Sequence, residues 1–162
     1  MIPHKWYSWK VYEPGDLSLI DPLGVEGDMF QSLEGYLEKL AALHNGDSRF
    51  CGTAFIDTYS GGERIARQAF AVGGWQELLE PGVYSGFFLL DKAAADHPRI
   101  FVRTFRAWCR HIVRLPGFKV LQTYSIPEPR IDRAMVALGF VYKETVREYA
   151  NGHDYSLWER VA

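Results

Sequence analysis

The chain has 162 residues, of which 48% are hydrophobic and 15% aromatic, with a formal net charge of −2. That is enough apolar material for the core of one ordinary domain, and it excludes a disordered chain. The near-neutral charge gives no pull toward nucleic acid or a membrane surface, and no apolar run approaches the ~18 residues of a membrane span.

In chain order, the segment Trp6 to Tyr12 alternates aromatic, polar and aliphatic residues and predicts a first strand, closed by Pro14-Gly15. Asp28 is placed to cap a helix in which Phe30, Leu33, Leu37 and Leu40 recur at helical spacing, with Asn45-Gly46 as its stop. Phe50 to Asp57 and Ile65 to Val72 predict a hairpin around Ser60-Gly61-Gly62. Gly73-Gly74 and Pro81-Gly82 punctuate the next stretch, so Trp75 to Glu80 receives no assignment. Val83 to Leu90 is almost wholly apolar, as expected of a central strand covered on both faces.

Asp96 predicts the start of the longest helix, with Pro98 in its first turn and Pro116-Gly117 at its end. Its apolar face is Phe101, Phe105, Trp108, Ile112 and Leu115. Opposite lie Arg99, Arg103, Arg106, Arg110 and Arg114, an edge suited to anions or to solvent. A strand from Lys119 to Ile126 follows, then a short helix from Pro129 with Ile131, Ala134, Met135 and Leu138 on one face and Gly139 at its end. Two further strands, Phe140 to Tyr149 and Tyr155 to Trp158, flank Asn151-Gly152. The long helix between Val83–Leu90 and Lys119–Ile126 is the connection that parallel strands require. Elements interleave, so the expected class is α/β (α+β) around one mixed, mostly antiparallel sheet.

The two cysteines, Cys51 and Cys109, sit in apolar stretches with no Cys/His cluster nearby, which predicts free buried thiols and no metal site. Met1–Trp6 has no apolar signal segment, so a cytoplasmic protein is expected. His44 lies near a helix C-terminus, where the dipole favours the charged imidazole. His97, His111 and His153 are expected at the surface.

The run of strand, short helix, Ala137-Leu138-Gly139-Phe140, strand, turn and strand resembles the C-terminal half of the GCN5-related N-acetyltransferases, the GNAT superfamily. The order of elements extends the resemblance over nearly the whole chain. It implies one domain over residues 1–162, whose two parallel central strands splay apart, flanked by helices, to admit acyl-CoA. A weaker likeness is to GNAT-like proteins of tailed phages.

The resemblance implies acetyl-CoA as cofactor and acetyl transfer to an amine of a small molecule or peptide. It places the thioester carbonyl against backbone N–H groups of Phe88, Leu89 and Leu90. Three family features are absent. The glycine-bearing phosphate loop is replaced by Asp91-Lys92-Ala93-Ala94-Ala95-Asp96-His97-Pro98-Arg99, the usual acid Tyr by Met135, and the usual Asn by Glu128. Arg99 and Arg103 can supply charge to CoA phosphates instead. Tyr124 is the candidate acid, and Glu80, with Glu77, the candidate base. The alternative is a non-catalytic GNAT-like protein that binds a macromolecule through the basic helix or the aromatic residues Trp6, Tyr7, Trp9 and Tyr12.

Overall fold

The computed structural model describes residues 4–21, 30–150 and 152–162. The capping role read for Asp28, and Asn151 of the last turn, lie outside them, as do the side chains of Phe30 and Leu33. The strands are β1 (His4–Val11), β2 (Cys51–Ser60), β3 (Glu63–Glu77), β4 (Val83–Leu90), β5 (Val120–Ser125), β6 (Val141–Ala150) and β7 (His153–Val161). The helices are α1 (Phe30–Leu43), α2 (Ala93–Asp96), α3 (Pro98–Ile112) and α4 (Pro129–Ala137), with a single 3-10 turn at Asp16–Leu19 that the sequence did not suggest. The sheet runs in the order β1-β2-β3-β4-β5-β7-β6, and β4 and β5 are parallel. No helix of the described residues is long and apolar enough to cross a membrane.

The chain forms two compact units, Met1–Gly74 with Phe88–Phe101 and Trp75–Phe87 with Val102–Ala162. In the first, β1 pairs antiparallel with β2 from His4↔Tyr59 to Val11↔Gly52. β2 pairs with β3 through two register shifts, which mark bulges. The glycines at 73 and 74 do not end β3. They pair with Gly52 and Cys51, and Leu40 of α1 lies where a Cβ of residue 74 would stand. Close helix packing, rather than a break in the strand, explains that pair. Leu37 and Leu40 are buried, as their spacing predicts.

In the second unit, Trp75 is fully buried and packs on Trp108 of α3 at 5.3 Å between ring centroids. Phe105, Trp108 and Ile112 form the buried face of α3. Trp75 also lies against Gly86, its six-membered ring filling the space a Cβ would need. α3 begins at Pro98 rather than at Asp96. Proline disfavours helical geometry in the preceding residue, and His97 (φ −130°, ψ 51°) separates α2 from α3.

At the end of α1, burial reverses the expectation for His44. Its ring stacks on Phe50 at 4.1 Å, and this desolvation lowers its pKa below the usual 6.5 despite the raising effect of Asp47. The unfolded chain therefore binds the proton more readily than the native one, so stability is lost as pH falls through the ordinary histidine range. His44→Gln is expected to flatten the fall in Tm between about pH 7 and about pH 5.5 relative to the parent, read by thermal denaturation across that window.

Gly86→Ala is expected to destabilise the fold by about 1–3 kcal/mol or more, because the new methyl overpacks against the indole of Trp75. Urea titration measures the loss. An unchanged midpoint would mean that Trp75 moves freely.

Candidate active site

Parallel pairing of β4 with β5 spans only Val83↔Val120, Tyr84↔Leu121, Ser85↔Gln122 and Gly86↔Thr123. Both strands continue beyond the last pair, β4 to Leu90 and β5 to Ser125. At that pair Thr123, itself buried, donates its hydroxyl to the Gly86 carbonyl at 3.0 Å. A side chain thus takes an acceptor where the ladder stops. Beyond it, β4 continues through Phe88, Leu89 and Leu90. Leu89 is buried, while Phe88 and Leu90 are half-buried.

Beyond Leu90, in the first unit, Asp91 organises the turn into α2. Its carboxylate accepts the N–H of Ala93 at 2.7 Å and that of Asp21 at 2.7 Å, and its own N–H donates to Phe70 O. Asp91 is 6% exposed. Ala94 N–H donates to Asp91 O and Lys92 N–H to Asp21 O. Several backbone donors of this turn are therefore already engaged. α3 follows with Pro98, which has no N–H, and no acidic residue lies in its first turn. Arg99 and Arg103 are both exposed and lie one helical turn apart on α3.

In the second unit, the end of β5 carries Tyr124, whose ring stacks on Tyr149 at 4.3 Å and 14°. Tyr155 lies 5.5 Å from Tyr149. A distortion of β6 brings Tyr149 there. Val146 pairs with Tyr155 and Ala150 with His153, so β6 spends two more residues than β7, and Glu148 adopts φ +50°. The Glu148 N–H donates to Asp154 Oδ1 at 3.0 Å and holds the bulge. Burial, then the neighbouring Tyr124 and Tyr155, raise the Tyr149 pKa. Sequence reading missed Tyr149, because a strand's alternation does not reveal a bulge that shifts its phase.

The candidate base Glu80 is not with Tyr124. It lies in the β3–β4 turn, where its carboxylate pairs with Lys119 at 3.0 Å, both side chains more than half exposed. Glu77 accepts the Gly82 N–H in the same turn. Lys119 precedes Tyr124 by five residues of extended chain, roughly 16 Å. Glu80 and Tyr124 therefore sit at opposite ends of β5 and cannot serve one reacting centre. The sequence showed only that Glu80 precedes β4, which marks the wrong end of that strand.

Solved structures with a similar fold cover nearly all of the chain. A ribosomal-protein-S5-alanine acetyltransferase from Vibrio fischeri is 12% identical, with 99% of this chain and 97% of that one covered at a TM-score of 0.64. A GNAT-family acetyltransferase from Streptococcus pneumoniae is 13% identical over 96% and 99%, at 0.57. An aminoglycoside acetyltransferase in complex with coenzyme A is 18% identical over 96% and 95%, also at 0.57. The fold is that of the GCN5-related N-acetyltransferases. By sequence, no family model and no curated protein matches the chain.

Within the GNAT fold, α4 ends as Ala137-Leu138-Gly139-Phe140 implies. Gly139 has φ +86°, its N–H donates to Val136 O, and Phe140 N–H donates to Met135 O. This is the paired bonding of a helix closed by a left-handed glycine. Arg106 of α3 donates to Ala137 O at 2.6 Å and Arg160 of β7 to Leu138 O at 2.9 Å, so cations meet the negative end of the helix. Met135, at the usual GNAT Tyr position, is 7% exposed and Leu138 3%. Glu128 precedes Pro129 without a side-chain capping bond.

Two substitutions test this arrangement. Met135→Tyr is expected to cost about 1–3 kcal/mol by overpacking and to create no transferase activity. Asp91→Ala leaves the N–H groups of Asp21 and Ala93 without their acceptor and should cost about 1–3 kcal/mol, with Asp91→Asn recovering part of it. Denaturant midpoints read both, and an acetyl-transfer assay reads the first.

Proposed function

We propose that the chain is an acyl-CoA-dependent N-acyltransferase that moves an acetyl group to an amine of a small molecule or peptide. The observation that carries this reading is the early end of the registered β4–β5 ladder at Gly86↔Thr123, while β4 itself runs on through Leu90. GNAT-fold neighbours include a complex with coenzyme A. The residues present suit acyl-CoA through this strand edge and through arginine charge. They do not suit it through a backbone phosphate turn, because Asp91 takes those donors. The whole chain is proposed to act as one catalytic domain.

Bound acyl-CoA supplies an activated acyl group as a thioester. Backbone N–H groups of Phe88–Leu90 polarise its carbonyl and hold the developing oxyanion. Arg99 and Arg103 hold phosphate oxygens by charge-assisted hydrogen bonds. As the amine nitrogen attacks, its bond to the carbonyl carbon forms, the C–S bond breaks, and the nitrogen loses its proton to solvent. Tyr124 returns a proton to the departing sulfur and is reprotonated from solvent. A cytoplasmic setting is part of the proposal, supported by two buried free cysteines.

A second reading, a GNAT-fold protein that binds a macromolecule without catalysis, is favoured by the Asp91-filled turn and by Met135. Calorimetric titration with acetyl-CoA separates the two, since every catalytic version requires binding. Arg99→Ala/Arg103→Ala is expected to weaken that binding by about 2–4 kcal/mol at low salt, and by less at high salt. Tyr124→Phe retains the stack on Tyr149 and should lower kcat by about 10²-fold or more while leaving binding intact. No heat from the unmutated protein would leave only the second reading.

A further inference from the structure

Charge is unevenly distributed along this chain. From His97 to Pro127 there are six Lys or Arg and no Asp or Glu, whereas the rest holds 12 Lys or Arg against 20 Asp or Glu. Five of the six are Arg99, Arg103, Arg106, Arg110 and Arg114, at steps of four, three, four and four. All five are exposed; the first four lie on the face of α3 opposite the buried Phe105, Trp108 and Ile112, and Arg114 follows two residues past its end.

Local electrostatics does not account for the whole row. Arg110 sits favourably in the last turn of the helix, but Arg99 in its first turn opposes the dipole, and guanidiniums one turn apart repel. Internal carboxylates do not account for it either. Among the described residues, Arg99, Arg110 and Arg114 form no ion pair. Arg106 reaches sideways to Ala137 O and so sets the end of α4 beside the row. Arg133 stands one turn before Ala137 on α4, with Arg130 a further turn back, both exposed and likewise without an ion pair.

We infer that this arginine row is a docking surface for the phosphate backbone of a nucleic acid, bound without reading sequence. Guanidinium forks match phosphate oxygens two at a time, which a row of lysines would not do. On α3 the row from Arg99 to Arg110 spans roughly 16 Å at 1.5 Å per residue, the length of about five phosphates of one strand at 3.4 Å each. The partner chemistry follows from what the face lacks. None of the large exposed hydrophobic side chains belongs to α3, and the α4 edge adds only the aliphatic Val136, away from the centre of the row. A protein partner would need an apolar or aromatic anchor at the centre of its interface, and unpaired bases would need aromatic platforms to stack on. A phosphate backbone needs neither. Net charge of −2 conceals this surface, because it averages over a segregated chain. The inference does not depend on acyl transfer.

Fluorescence anisotropy with a labelled, mixed-sequence DNA duplex tests it. About four phosphate contacts predict a slope near −3.6 for log K against log salt, or roughly a hundredfold weakening between 50 and 200 mM salt. Arg110→Glu/Arg114→Glu should weaken binding at least tenfold at low salt and make the slope shallower by about 2. The same variant should stay folded, its denaturation midpoint lowered only by the lost dipole contribution, and should keep its affinity for acetyl-CoA. A second duplex of unrelated sequence should bind equally. The inference is overturned if no duplex binds at low salt, if the variant binds as well as the parent, or if an acidic peptide of matched charge displaces the duplex equally well. That last result would point to an acidic protein partner instead.

Discussion

The constraint on which this structure turns is the contact of Trp75 with Gly86 at the end of the parallel ladder. A parallel pair gains hydrogen bonds for every residue it adds, so something must stop β4 and β5 from zipping to their ends. Gly86 lets the indole lie against the backbone, and Thr123 takes the Gly86 carbonyl that a further ladder bond would have used. Trp75 is in turn held by Trp108, so the stopping point is set by the core packing of α3. The functional reading rests on this end of the registered ladder.

Asp91 shows how one side chain sets the chemistry of a strand-to-helix turn. Backbone N–H groups after a strand and before a helix form a natural anion site. Here the anion is supplied from within, by a buried carboxylate bonded to Asp21 and Ala93. That gains order in the turn and gives up its use as a phosphate cradle. In the proposed reading positive charge for an anion comes from side chains, the arginines of α3, whose first turn holds no acid. Side-chain charge is longer in reach and less exact in geometry than a ring of backbone donors, which suits extended anions as well as compact ones.

α4 illustrates the same division between backbone and side chain. Its left-handed Gly139 closes the helix by backbone bonds alone, and Arg106 and Arg160 then take the remaining carbonyls at Ala137 and Leu138. One arginine comes from α3 and one from β7, so α4 is tied to two elements distant in sequence. Met135 stays in the core beneath that tie. A tyrosine hydroxyl at this position would need either a buried partner or a different tilt of the helix.

Much of the architecture was legible in the residues. The apolar run Val83–Leu90, the amphipathic period of α3 and the glycine stop at Gly139 depend on local pattern, and local pattern is what strand and helix propensity encode. The parallel pairing followed from the helix between the strands. What escaped were consequences of contact between distant residues. Gly73-Gly74 looked like a break until Leu40 accounted for it, and His44 looked like a dipole-stabilised cation until Phe50 covered it. Glu80 looked near the chemistry until Lys119 fixed it at the far end of β5. Tyr149 met Tyr124 only because a bulge displaced it. By itself the sequence determined which segments are strands and helices, since that depends on periodicity along the chain. Only the tertiary structure decided where the parallel ladder stops, which donors Asp91 engages and which side chains share an end of a strand, because each depends on residues that sequence separates and packing brings together.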